Sequence, residues 1–127
     1  MKEVIPYLMF SGSCHEALNF YKSCLNGEIV SLQTVGDSPL DVPAEFQDRI
    51  FDSEFRAEGV RFKASDDMPG QEVVKGGNFA MFVTFSDQQE QKRVFDELSN
   101  GGQVQFPLEN NFGMLIDKYQ VQWMLAG

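Results

Sequence analysis

A weak internal repeat, with a spacing of 75 residues, constrains the fold more than any other feature of this sequence. The aligned pairs are mostly apolar residues or glycines: Tyr7 with Phe82, Phe10 with Phe85, Phe20 with Phe95, Ile29 with Val104 and Gly27 with Gly102. Self-similarity at a fixed spacing indicates two copies of one supersecondary unit. The order of the elements in each copy supports this interpretation.

The first copy begins with an apolar segment, 4–10, that is typical of a strand. Ser13 and Glu16 have the spacing of a capping box, so a helix is expected to begin there. Apolar residues then recur at helical spacing until Gly27, which suits the left-handed conformation that ends helices. Strands are predicted over 28–34, 50–57 and 60–65, with a loop rich in proline and acidic residues over 36–48.

The second copy repeats this plan after a linker over 66–77. A strand is predicted over 78–85, and Ser86 or Asp87 is expected to cap a helix that continues through Leu98. Shorter strands follow near 103–106, 112–117 and 120–125. Neither copy could bury its sheet alone, so the sequence predicts one α+β domain over 1–127. It would consist of two tandem β-α-β-β-β modules, about 1–66 and about 77–127.

Composition excludes several classes of partner. The formal net charge of −9 disfavours nucleic acid and anionic membranes, which require clustered cationic residues. No apolar segment approaches the length of about 18 residues that spans a bilayer. The first residues lack the pattern of a signal peptide, so we expect a cytoplasmic protein. Cys14 and Cys24 lie ten residues apart in one predicted helix and cannot form a disulfide within it.

Several strings in order resemble the PhnB-like branch of the vicinal oxygen chelate superfamily, which includes glyoxalases, bleomycin-resistance proteins and dioxygenases. The strings are PYLMFSG at 6–12, LSNGG at 98–102, FGMLIDKY at 112–119 and VQWM at 121–124. The resemblance implies modules related by pseudo-two-fold symmetry, forming a curved mixed sheet around a cavity. It also implies a homodimer.

Strand alternation predicts which side chains line that cavity. The alternate residues of the first strand, including Leu8 and Phe10, are apolar and are expected to pack under the helix. The opposite face would then carry Tyr7 and its repeat partner Phe82. We expect Trp123 to point to the same pocket. The ligand-binding residues predicted in this way are Tyr7, Phe82 and Trp123 for ring contacts, with Asp52, Glu54 and Asn78 for polar contacts.

Metal binding is the question on which the resemblance and this sequence differ. Enzymes of the superfamily hold a divalent metal with His and Glu on strands. Here Asn78 and Trp123 stand where a His and a Glu are expected, and the one histidine, His15, falls in a helix. Asp52 and Glu54 could bind a hard cation such as Mg²⁺, but we favour the interpretation that they lie on a solvated edge or form an ion pair. We therefore predict no metal and no other cofactor.

The candidate ion-pair partners are Arg56 and Arg61. Cys14, at the beginning of a helix, is a further candidate because such a thiol can have a lowered pKa, although a structural role is the simpler interpretation. A catalytic triad is excluded because the one histidine is misplaced.

Three functions remain open. The first is a binding module that holds a small aromatic or hydrophobic molecule without chemistry. The second is a metal-dependent lyase, isomerase or dioxygenase of the glyoxalase type, using carboxylates in place of histidine. The third is a structural or regulatory partner protein. The methyltransferase label that PhnB-like proteins often carry is not supported here, because no glycine-rich turn precedes either helix.

Overall fold

The computed structural model describes all residues, 1–127. The chain divides into two compact units, Met1–Val73 and Val74–Gly127, and the division falls within the segment 66–77. None of its helices has the length and apolar character that crossing a membrane would require.

Both units have the order β-α-β-β-β. The elements of the first unit are β1 (Tyr7–Phe10), α1 (Cys14–Leu25), β2 (Glu28–Thr34), β3 (Ile50–Ala57) and β4 (Val60–Asp66), with a short 3₁₀ turn at Ala44–Phe46. Those of the second unit are β5 (Met81–Thr84), α2 (Gln88–Ser99), β6 (Gln103–Glu109), β7 (Phe112–Ile116) and β8 (Gln122–Ala126). The predicted α+β class and the repeated module are thereby confirmed.

Each unit forms one four-stranded mixed sheet. The strand order is β1-β4-β3-β2 in the first and β5-β8-β7-β6 in the second. In both sheets the first strand runs parallel to the last, and the other pairs are antiparallel. β1 and β5 are three residues shorter at their N-terminal ends than predicted, since pairing with the last strand begins only at Tyr7 and Met81.

Helix α1 covers one face of the first sheet with its buried stripe. The stripe consists of Cys14, Ala17, Leu18, Tyr21 and Cys24. The ring of Tyr21 meets Phe62 edge-on at 5.7 Å between centroids, and Phe62 stacks on Phe55 at 4.8 Å. Aromatic pairs in these geometries add about 0.5–1.5 kcal/mol beyond burial. The core of the first unit is therefore built largely from rings.

Helix α2 covers the equivalent face of the second sheet. Val94, Phe95 and Leu98 are its buried apolar residues. Gly113 on β7 lies directly under the helix, and a Cβ atom there would sit 2.6 Å from the ring of Phe95. Because real Cβ atoms do not approach so closely, this position needs glycine.

The two helices begin in different ways. In α1 the predicted capping box is wrong, because the side chain of Ser13 makes no capping hydrogen bond. A carboxylate from β4 takes that role: Asp66 Oδ1 accepts from the backbone N–H groups of Gly12 and Cys14. In α2 the prediction is correct, since Asp87 accepts from two backbone N–H groups of the first turn. A local motif therefore caps one helix and a tertiary contact caps the other.

Candidate functional site

Each sheet has a face that its helix covers and an opposite face, which we call the open face. In β3 of the first sheet, Ser53 and Phe55 are buried on the covered face, while Asp52 and Glu54 alternate with them. In β8 of the second sheet, Trp123 and Leu125 are buried, while Met124 lies between them. Strand pairing extends this assignment across each sheet, because directly paired residues point to the same face.

The open face of the first sheet is polar along its centre. Its central row crosses all four strands as Tyr7, Lys63, Glu54 and Ser31. Asp52 lies two residues before Glu54 on β3. Its carboxylate accepts a hydrogen bond from the hydroxyl of Tyr7 at 3.1 Å and another from Lys63 Nζ at 2.9 Å. This partly exposed carboxylate is thereby held by two donors from two different strands.

Glu54 forms the second charged cluster of this face. Its carboxylate pairs with Arg56 on its own strand and with Arg61 on β4, and Arg61 also pairs with Glu3. The hydrogen bond from Arg56 is the main reason that the pKa of Glu54 lies below its usual value. The favoured interpretation of Glu54 as an ion-pair partner of Arg56 or Arg61 is confirmed, and both arginines take part.

Protonation of Tyr7 and Lys63 follows from the same contacts. Burial is the main reason that the pKa of Tyr7 is raised. The hydrogen bond to Asp52 is the main reason that the pKa of Lys63 is raised. Both shifts favour the protonated forms, so near neutral pH the row presents an ammonium group and a neutral phenol.

The open face of the second sheet is apolar along its centre. Its central row, which we call the apolar row, crosses the four strands as Phe82, Met124, Met114 and Phe106. Phe82 is 59% exposed and Phe106 is 58% exposed, so both rings are accessible to a binding partner. With strands about 4.8 Å apart, the row is about 14 Å long, which exceeds the length of a three-ring aromatic molecule.

Trp123 does not belong to this row, and the prediction that it shares a face with Phe82 is wrong. Trp123 pairs with Met81 and Leu115, whereas Phe82 pairs with Met124. The indole is fully buried on the covered face, where its N–H donates to Asp117 Oδ2 at 2.9 Å. The error is one of register: a shift of one residue in the closing strand moves a side chain to the other face.

The remaining candidates lie apart from the two central rows. Asn78 is exposed and precedes β5 by three residues, and His15 is exposed on α1. Cys14 is buried, and burial, reinforced by the nearby carboxylate of Asp66, raises the pKa of its thiol to about 12. The alternative of a reactive Cys14 thiolate is therefore wrong, because desolvation outweighs the helix N-terminus.

A transition metal does not fit the donors at the positions that the superfamily uses. The indole nitrogen of Trp123 is a donor only and is committed to Asp117. Asp52 and Glu54 are each neutralised by a cationic side chain. No group of three or more His, Cys, Asp and Glu side chains lies in an arrangement that could hold a metal ion.

Several residues of the open faces were missed from the sequence. They are Lys63 on the first sheet and Phe106, Met114 and Met124 on the second. The position of Phe106 could have been found from the sequence, since the spacing of 75 residues aligns this residue with Ser31. The methionines carried no such signal, because the distance between the later strands differs in the two copies and the repeat loses its register there.

The repeated β-α-β-β-β units have the fold of the vicinal oxygen chelate, or glyoxalase, type. A fosfomycin resistance protein, FosX from Listeria monocytogenes, has the same fold at a TM-score of 0.67 and 12% identity, over 100% of this chain and 91% of that one. Residues 2–126 match the model of the family described as 3-demethylubiquinone-9 3-methyltransferase, and the chain belongs to this family. The resemblance to the PhnB-like branch is thereby confirmed.

Other proteins that this chain resembles share more of its sequence. Protein PA1353 from Pseudomonas aeruginosa is 30% identical at a TM-score of 0.89, covering 99% of this chain and 97% of that chain. A PhnB protein from Bacillus cereus is 27% identical at a TM-score of 0.81, covering 98% of each. Protein YjdN of Escherichia coli is 27% identical over 94% of this chain and 91% of its own length. The similarity in each case extends over both units.

Proposed function

We propose that this PhnB-like protein binds a small, flat, apolar molecule on the open face of its second sheet, without a transition metal and without chemistry on it. The single observation that carries the proposal is the apolar row. Two accessible phenylalanine rings flank two methionines in a continuous line across four strands. Rings and thioethers offer stacking and dispersion contacts to a flat ligand.

Of the four predicted polar residues, Asn78 lies in the unit of the apolar row and is proposed to contact the ligand there, while Tyr7, Asp52 and Glu54 are proposed as polar contacts on the open face of the first sheet. Tyr7 and Asp52 are supported by their shared hydrogen bond, which fixes both side chains on an open face. Glu54 lies beside them on β3, while Asn78 is exposed before β5. Trp123 is not proposed as a ligand contact, because its indole is fully buried. A homodimer and a cytoplasmic location remain part of the proposal, the former from the behaviour of the superfamily.

Binding of acridine tests the proposal, since this flat three-ring probe is short enough to lie along the row. We expect saturable binding by fluorescence titration and a higher melting temperature in its presence. Phe82→Ala and Met124→Ala are each expected to weaken binding by about two- to tenfold, the range that one stacking contact supports. Phe79→Ala is the matched control, because Phe79 is 70% exposed but precedes β5 and lies outside the row. Absence of binding, or equal losses in all three variants, would overturn the proposal.

The metal-dependent enzyme is the second candidate. It is disfavoured because Asp52 would have to leave Lys63, and Glu54 its two arginines, before either carboxylate could bind a cation. Elemental analysis of the purified protein is expected to find far less than one Zn, Ni or Fe per chain. A stoichiometric metal that survives dialysis would reverse the order of the two candidates.

Methyl transfer, which the family description names, is not proposed. The backbone N–H groups of Gly12 and Cys14, at the turn where a cofactor would approach, already donate to Asp66. In α2, the backbone N–H groups of Gln89 and Glu90 donate to Asp87. A titration with S-adenosylmethionine is expected to show no binding.

A further inference from the structure

The charge of the ligand follows from the side chains around the apolar row. Two further rows flank it on the same open face. One consists of Thr84, Ala126, Phe112 and Glu109, and the other of Gln122, Ile116 and Gln103. Glu109 is the one charged residue in the three rows. An anionic ligand lying on this face would therefore meet no cationic partner there and would face a carboxylate.

The cationic residues of the second unit lie elsewhere. Lys92 and Arg93 are on α2, which packs against the opposite face, and they pair with Asp96 and Glu97. Lys118 lies in the turn between β7 and β8, with its ammonium group 5.6 Å from the ring centre of Tyr119. The fourth, Lys75, precedes β5. None of them belongs to the three rows of the open face.

The row itself favours positive charge. The face of a phenylalanine ring carries negative potential and attracts a cation above it. Methionine sulfur is polarisable and a weak acceptor. Phe82 and Phe106 lie at the two ends of the row with Met114 and Met124 between them, and the net charge of the whole chain is −9. The side chains of the row and the negative net charge of the chain therefore both attract a positively charged ligand.

From these observations we infer that the open face of the second sheet selects flat aromatic monocations over neutral and anionic molecules of the same shape. The inference rests on the proposed function and names the ligand class of that same face.

Three probes with one ring system test it: 9-aminoacridine, a cation near neutral pH, acridine, which is neutral, and acridine-9-carboxylate, an anion. We expect 9-aminoacridine to bind about tenfold more tightly than acridine, which corresponds to about 1.4 kcal/mol. Acridine-9-carboxylate is expected to bind no more tightly than acridine. If acridine binds and the cation shows no preference, this inference fails while the proposed function stands. If none of the probes binds, both fail.

Substitutions that keep the face apolar show which side chains cause the preference for a cation. Phe82→Leu and Phe106→Leu remove a ring but leave a hydrophobic side chain, so each is expected to reduce the preference for the cation more than it reduces acridine binding. Glu109→Gln is expected to lower cation binding alone. Phe79→Leu is the control and is expected to change neither. General attraction to a negatively charged chain would survive all four substitutions and disappear at high salt, and that result would overturn the inference.

One further outcome concerns the occupant of the face. If Phe82→Leu lowers the mass measured by light scattering, and none of the three probes binds the wild type, the face is a contact between copies of the chain. Both the inference and the proposed function would then be wrong.

Discussion

The first and second sheets have the same strand order, yet the matching central rows of their open faces differ in kind. Tyr7, Lys63, Glu54 and Ser31 in the first sheet correspond to Phe82, Met124, Met114 and Phe106 in the second. The covered faces are apolar in both, because each must bury its surface against a helix. The open faces carry no such requirement, so the two copies could diverge there without loss of the fold.

The two open faces also differ in how their side chains interact. On the first sheet, charges satisfy one another through pairs that involve Asp52 and Glu54. On the second sheet, the exposed rings of Phe82 and Phe106 remain accessible. A face whose polar groups are already paired has less to offer a small ligand than one whose apolar surface is still exposed to water.

The largest expected effect contrasts the two faces of the second sheet. Trp123→Ala removes a buried ring and leaves Asp117 without its indole donor, so we expect a loss of about 3–5 kcal/mol in the free energy of unfolding. Phe82→Ala removes a ring of similar kind from the open face and is expected to cost less than about 1 kcal/mol. Urea denaturation measures both. Equal losses would show that the open face is part of a packed core.

The next effect compares the helix N-termini of the two units. Asp66 is buried and also accepts from the backbone N–H of Ile50, so Asp66→Ala leaves several buried donors unpaired. We expect a loss of about 3 kcal/mol. Asp87→Ala removes an exposed cap and is expected to cost about 1 kcal/mol. Chemical denaturation of both variants measures the two losses in the free energy of unfolding. A larger loss for Asp87→Ala than for Asp66→Ala would contradict this prediction.

A smaller effect is expected from exchanging residues between the matching rows. Met124→Lys places the ammonium group of the first sheet in the apolar row, where a ligand would have to desolvate it. Binding of acridine is expected to fall about tenfold, which is about 1.4 kcal/mol. The reciprocal change Lys63→Met serves as the control and is expected to leave acridine affinity within about twofold. A stronger effect of Lys63→Met would move the binding site to the first sheet.

The smallest effect is a dependence of stability on pH that only the first sheet contributes. The pKa of Glu54 is lowered in the folded chain, so its ion pairs stabilise the fold above the ordinary glutamate pKa of about 4.3. That stability is lost as the pH falls through the lowered folded value. Glu54→Gln is expected to flatten the stability profile between neutral and acidic pH, whereas Met114→Gln, at the matching position, is expected to leave its shape unchanged. Melting temperatures measured across this range show which variant alters the profile.

Much of the fold could be predicted from local patterns. The repeat placed both helices and most strands, and a cap at Ser86 or Asp87 was recognisable from its position before an amphipathic segment. These features depend on residues close together in the chain. The cap of α1 was not predictable in the same way, because Asp66 lies more than fifty residues from the N–H groups it binds. At the end of α1, the residue in the left-handed conformation is Asn26 and not the expected Gly27.

The sequence alone was enough to predict the repeated β-α-β-β-β plan and the family, since both depend on the order of short patterns along the chain. It also determined that Tyr7 and Phe82 occupy equivalent positions, because the repeat keeps register through β1 and β5. The burial of Trp123, and the place of Met114 and Met124 in the apolar row, followed only from the pairing of the strands. Side chains alternate between the two faces at every residue of a strand. The face of a strand is therefore set by its pairing with distant strands, and a difference of one residue reverses it.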